Sequence, residues 1–163
     1  MAMLNRDGND LQERTVMIAR VVYGRREVVW RMWTDSAHLA AWWGPHGFTN
    51  PECSIEPRPG GHIRILMRSA DGQEFLNVGT VESIHEPERL AFTISLLDDD
   101  GQPRLTNHTT IEFEDRGPET KVTVQVRAEL IRPEAQENVK GMHNGWLESL
   151  ERLSRTIEEG LLS

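Results

Sequence analysis

Residues 133–160 read PEAQENVKGMHNGWLESLERLSRTIEEG, and their periodicity decides the architecture. Val139, Met142, Trp146, Leu150, Leu153 and Ile157, with Leu161 just beyond, recur at spacings of three and four. That is the apolar stripe of an amphipathic helix. Pro133 suits a first helical turn, and Glu134 and Glu137 favour its positive end. No breaker stronger than an isolated glycine interrupts the run. At 1.5 Å per residue it reaches about 40 Å, enough to cross a whole sheet. One long helix therefore covers the buried face of a curved sheet.

The upstream chain supplies that sheet. "TVMIARVVY" (15–23) is rich in β-branched residues and reads as a first strand. In "RREVVWRMWTD" (25–35) the period changes: Val29, Met32 and Trp33 share a helical face flanked by Val28 and Trp30. Asp35 and Ser36 cap a second short helix, "AHLAAWW", which Gly44-Pro45 ends. Strand patterns follow at 52–57, 62–68, 74–85, 90–95, 106–115 and 121–130. The turn signals "PGG", "ADGQ", "EPER", "LDDDGQPR" and "RGPET" separate them. Consecutive strands with short turns predict an antiparallel meander, wet on one face and buried on the other. The expected class is α+β: six to seven strands curved around the long C-terminal helix, with two short helices after the first strand. Residues 1–13 are polar and aperiodic and are expected to form a flexible tail, leaving 14–163 as one domain.

A chain of 163 residues can bury roughly 70% of its unfolded surface without a disulfide or structural metal. The 18 Lys and Arg against 26 Asp and Glu give a net charge of −8, which opposes phosphate backbones and anionic membranes. Nucleic acid is thereby excluded as an expected partner. No run approaches the roughly 20 apolar residues of a membrane span, and "MAMLNRDGNDLQER" lacks the apolar core of a signal peptide. Cys53 is alone and reads as a small buried thiol in a reducing compartment. A cytoplasmic protein is expected.

Four stretches, "TDSAHLAAWWGP" (34–45), "RPGGHIRILM" (58–67), "GTVESIHEPERLAFT" (79–93) and "GMHNGWLESLERL" (141–153), resemble the START-like, or SRPBCC, superfamily. The branch they most resemble is the one homologous to activators of a heat-shock chaperone's ATPase. The likeness runs from about residue 14 to 162. One departure is Gly24-Arg25-Arg26, where family members often open the first helix with proline. The resemblance implies a helix-grip (START-like, Bet v-like) fold whose sheet leaves a cavity for an apolar or amphipathic ligand. It leaves function open among ligand carriers, cyclases or hydrolases acting on aromatic or polyketide-like substrates, and chaperone-regulating modules tied to stress responses. A protein partner or a homodimer is left open as well.

The pair Trp42-Trp43 ends an apolar run at "GPHG", which places two indoles at the mouth of the grip. Trp43 is taken as the inward ring, with Phe48 following the turn. Packing of both rings between helix and sheet is the alternative. By strand parity Ile63, Ile65, Met67, Val81, Phe92, Ile111 and Phe113 face inward, as core or cavity wall. Asn107 and Thr109 share that parity, and inward polar groups need partners: a ligand, a water or a neighbouring strand. A one-residue slip would reverse every assignment. On the long helix Met142, His143, Trp146 and Leu150 are the candidate wall. Gly141 and Gly145 each weaken it by roughly 1 kcal/mol, for close sheet contact or for ligand space. His143 is a candidate donor to a ligand, or else structural. His38, His46, His62, His85, His108 and His143 are scattered without metal-ligand spacing, so no metal or cofactor is expected. Glu148 and Glu151 read as solvated, and no catalytic pair identifies itself.

Overall fold

The computed structural model describes residues 13–130, 132–133 and 136–162, so all of the expected tail but Glu13 lies outside the described residues. The order is β1 (Glu13–Tyr23), α1 (Arg26–Thr34), α2 (Ser36–Trp42), β2 (Thr49–Ile55), β3 (His62–Arg68), β4 (Glu74–His85), β5 (Arg89–Leu97), β6 (Pro103–Arg116), β7 (Glu119–Leu130), α3 (Gln136–Lys140) and α4 (Met142–Leu162). The seven strands form one antiparallel sheet in the order β1-β7-β6-β5-β4-β3-β2. This is the α+β helix-grip arrangement.

Local chemistry sets the boundaries. Asp35 lies between the two short helices, and its carboxylate accepts from the His38 N–H at 3.1 Å, a cap that starts α2. At the other site, Arg25 gives α1 no side-chain cap. The expected single C-terminal helix lapses at Gly141, which separates α3 from α4. Its N–H still donates to the Glu137 carbonyl at 3.1 Å and its carbonyl accepts from Gly145 N–H at 2.9 Å. Glycine's weak helix propensity places the lapse there.

The concave face holds the core. Leu90, Phe92, Ile94 and Leu96 alternate inward along β5, joined by Val81, Ile111, Phe113 and Val124 from neighbouring strands. Trp33 and Trp42 close it from the short helices, and Leu150, Leu153 and Ile157 from α4. Gly79 lets β4 and β5 approach: a Cβ there would sit 1.9 Å from the Thr93 carbonyl oxygen. On edge strand β1 the outward side chains Met17, Val21 and Tyr23 are 62%, 48% and 49% exposed. No helix among the described residues is long and apolar enough to cross a membrane.

Candidate functional site: a cavity between sheet and C-terminal helix

The Trp42-Trp43 pair divides by depth. Trp42 is fully buried, and its indole N–H donates to the Met32 carbonyl at 2.9 Å. Trp43 is partly buried and borders a cavity. The expectation that Trp43 is the inward ring is thus corrected: helix α2 drives Trp42 into the core and leaves Trp43 at the wall. Trp43 packs edge-on to Trp146 with centroids 5.5 Å apart. Trp33 stacks on Trp146 at 6.0 Å and meets Trp42 at 4.6 Å, while Phe113 links Trp33 to Trp30. All five tryptophans belong to this one network.

The turn after Trp43 is fastened to α4. The Arg152 guanidinium donates through Nη1 to the carbonyls of Trp43, Gly44 and Pro45 at 3.2, 2.8 and 2.9 Å. Its burial lowers its pKa from the ordinary arginine value. Glu148 accepts from the His46 N–H at 3.0 Å, and Glu151 from His46 Nε2 at 2.7 Å. Glu148 and Glu151 therefore hold a loop rather than water alone. Gly44 needs its left-handed φ of 96°, and a Cβ there would lie 2.9 Å from Met67 Cε.

Behind this fastened turn lies a cavity of about 240 Å³, open on one side. Trp43, Gly44, Pro45 and Phe48 form one wall. Met67, Phe75 and Asn77 line it from β3 and β4, Ile94 and Leu96 from β5, and Leu105, Asn107 and Thr109 from β6. The helical wall is Gly141, Met142, Gly145, Trp146 and Ser149. A Cβ on Gly145 would meet nothing nearer than Pro45 Cγ at 3.7 Å, and one on Gly141 only its own helix. No close sheet contact explains either glycine; Gly141 marks the junction of α3 and α4, and space is the account left for Gly145.

The family model described as "Activator of Hsp90 ATPase homolog 1-like protein" matches residues 24–158. The chain belongs to this family. Solved structures similar to this activator-homology chain include one from Rhizobium leguminosarum, 19% identical with a TM-score of 0.78, covering 91% of this chain and 96% of that one. An AHSA1 protein of Silicibacter pomeroyi is 23% identical with a TM-score of 0.73, covering 90% and 99%. A Chromobacterium violaceum protein is 26% identical with a TM-score of 0.72, covering 88% and 96%. Among curated proteins none matches.

In this activator-homology fold, Trp43, Phe48, Met67, Asn107, Thr109, Met142 and Trp146 meet at the cavity. The other expected wall residues do not line it. Ile63, Ile65 and Phe92 border a void of about 10 Å³ beneath α1 and α2, too small for a ligand, and Phe92 also touches a separate hollow lined by Thr93 and His108. Val81, Ile111 and Leu150 are fully buried packing. His143 is exposed, because one residue along a helix turns the side chain some 100° from Met142. Phe75, Asn77, Ile94, Leu96, Leu105 and Ser149 were not anticipated. Inward parity on β4, β5 and β6 could have flagged all but Ser149, whose helical spacing from Met142 and Trp146 was the available signal.

Two polar features lie outside this wall. Cys53 is half-buried beside the core, and burial pushes its thiol pKa up to about 11, which disfavours the thiolate at neutral pH. On the outer face Ser54 Oγ lies 2.6 Å from His62 Nε2, and His62 Nδ1 donates to Glu56 at 2.8 Å. Sequence spacing hid this chain of three because the β2–β3 pairing creates it. The nearby Gly60 and Gly61 N–H groups already donate to Val81 and Arg58, leaving neither to hold an oxyanion. Its role is to tie the turn. His62 backbone and side-chain N–H groups, then Arg58, hold the Glu56 pKa near 2 against an ordinary 4.5. A depressed carboxylate pKa stabilises the fold above the ordinary value, and the contribution fades as pH falls from about 4.5 toward 2. Carboxyl NMR should show Glu56 titrating near 2; a midpoint at the ordinary glutamate value would mean that the tie is absent in solution.

Proposed function

We propose that this activator-homology protein binds a small hydrophobic or amphipathic molecule between its sheet and C-terminal helix. The observation that carries the proposal is the cavity of about 240 Å³, bordered by Gly145 of α4 and by Gly141 at the α3–α4 junction. Pockets for small ligands begin at roughly 300 Å³, so the occupant is compact or leaves part of itself in the mouth. Burial drives binding at about 25 cal/mol per Å² of apolar surface, and the polar wall groups set orientation. The enzyme alternative is supported by no acid–base group among the described residues, since His143 lies outside the cavity and no described His, Asp, Glu, Lys, Cys or Tyr lines it. Native mass spectrometry of protein released gently from cells should show a small-molecule adduct that an environment-sensitive lipid probe displaces. A bare mass together with no probe binding would overturn the proposal.

A second reading rests on the exposed Met17, Val21 and Tyr23 of β1 and on the family's description. They support contact with a protein, a chaperone among them, through that apolar stripe. Unchanged chaperone ATPase activity on adding this protein would remove the chaperone form of this reading. The lone half-buried thiol supports a reducing, cytoplasmic setting.

A further inference from the structure

The chain is 27% Asp, Glu, Lys and Arg, yet none of these, and no histidine, appears among the seventeen described residues lining the cavity. Two charges of α4 beside the fastened turn are committed elsewhere, Arg152 to three carbonyls and Glu148 to the His46 N–H. What polarity the wall has is uncharged: Asn77, Asn107, Thr109 and Ser149. Two of these are already engaged, the Asn77 amide donating to the Phe75 carbonyl at 3.3 Å and the Ser149 hydroxyl to Gly145 at 2.8 Å. Asn107 differs. Its Oδ1 is shut off from solvent and accepts no hydrogen bond. An unmet buried acceptor of this kind destabilises the empty protein.

An anion entering such a cavity would leave water without meeting a cation, so a carboxylic acid could bind only after taking up a proton. A hydroxyl suffers no such loss. It both donates and accepts, and the broad terminal torsion of asparagine lets either end of the amide turn to meet it.

We propose that the cavity selects uncharged molecules bearing a hydroxyl on an apolar body, with Asn107 as the residue that recognises the hydroxyl. This rests on the cavity being a ligand site. Isothermal titration of the wild-type protein at pH 7 with 2-naphthol, 2-methoxynaphthalene and 2-naphthoate separates the two ideas, because the three share one ring system. The naphthol should bind about 10-fold more tightly than its methyl ether, the loss of one hydrogen bond. The naphthoate should bind on the order of 100-fold more weakly than the naphthol, the consequence of neutralising an acid whose pKa lies more than two units below the solution pH. In Asn107→Leu the alcohol and ether should bind alike. Equal binding of alcohol and ether to the wild type, or tight binding of the naphthoate, would overturn the selectivity while leaving the ligand site intact. Failure of all three to bind would overturn both. The wild-type series decides the matter even if Asn107→Leu does not fold.

Discussion

Replacing Trp33 by alanine should cost about 3–5 kcal/mol of stability, the range for deleting a buried large aromatic ring. Trp33 is 1% exposed and touches Trp42, Trp43, Trp146 and Phe113, so it joins both short helices to β6 and to α4. At roughly 2–4 °C per kcal/mol for a chain of this size, calorimetry should record a drop of about 6–20 °C. Its indole N–H is buried without an acceptor, and Trp33→Phe removes that unmet donor while keeping a ring. Trp33→Phe should therefore lose much less than Trp33→Ala. A loss below about 1 kcal/mol for the alanine variant would show that the ring does not bridge the layers as described.

Gly145→Leu should have the largest effect on binding, with the opposite sign for stability. The site tolerates a Cβ, and a better helix former there gains up to about 1 kcal/mol. The remaining carbons of leucine close the space between α4 and Pro45, where the cavity needs to stay open. Ligand affinity should fall at least about 10-fold while the melting temperature holds or rises, the split expected where a site is kept open at the fold's expense. Undiminished binding of the displacing probe by Gly145→Leu would place the ligand elsewhere.

The sequence made direction legible and depth illegible. Period-2 alternation gives the bounds of β3 and β4 as the structure has them, and inward parity assigns Asn107 and Thr109 to the concave face. Parity cannot distinguish a residue that fills the core from one that borders a hollow. That depends on where the helices cover the sheet. Ile63 and Ile65 lie beneath α1 and α2, whereas Ile94 and Leu96, further along their strand than Phe92, face the gap below Trp43. The helical stripe found Met142 and Trp146 for the same reason that it misplaced His143, since adjacency in a helix is a change of face. The fastening of the Trp43–His46 turn by Glu148, Glu151 and Arg152 joins residues more than a hundred positions apart. No local pattern announces such a joint.

The cluster of four indoles, Trp33, Trp42, Trp43 and Trp146, has an optical consequence. Rings whose centres lie 4.6–6.5 Å apart exchange excitation before they emit, and two of them, Trp43 and Trp146, form part of the cavity wall. Anything that settles against that pair dims or shifts the glow of the whole set, so the molecule carries its own gauge of occupancy and needs no dye attached to read it.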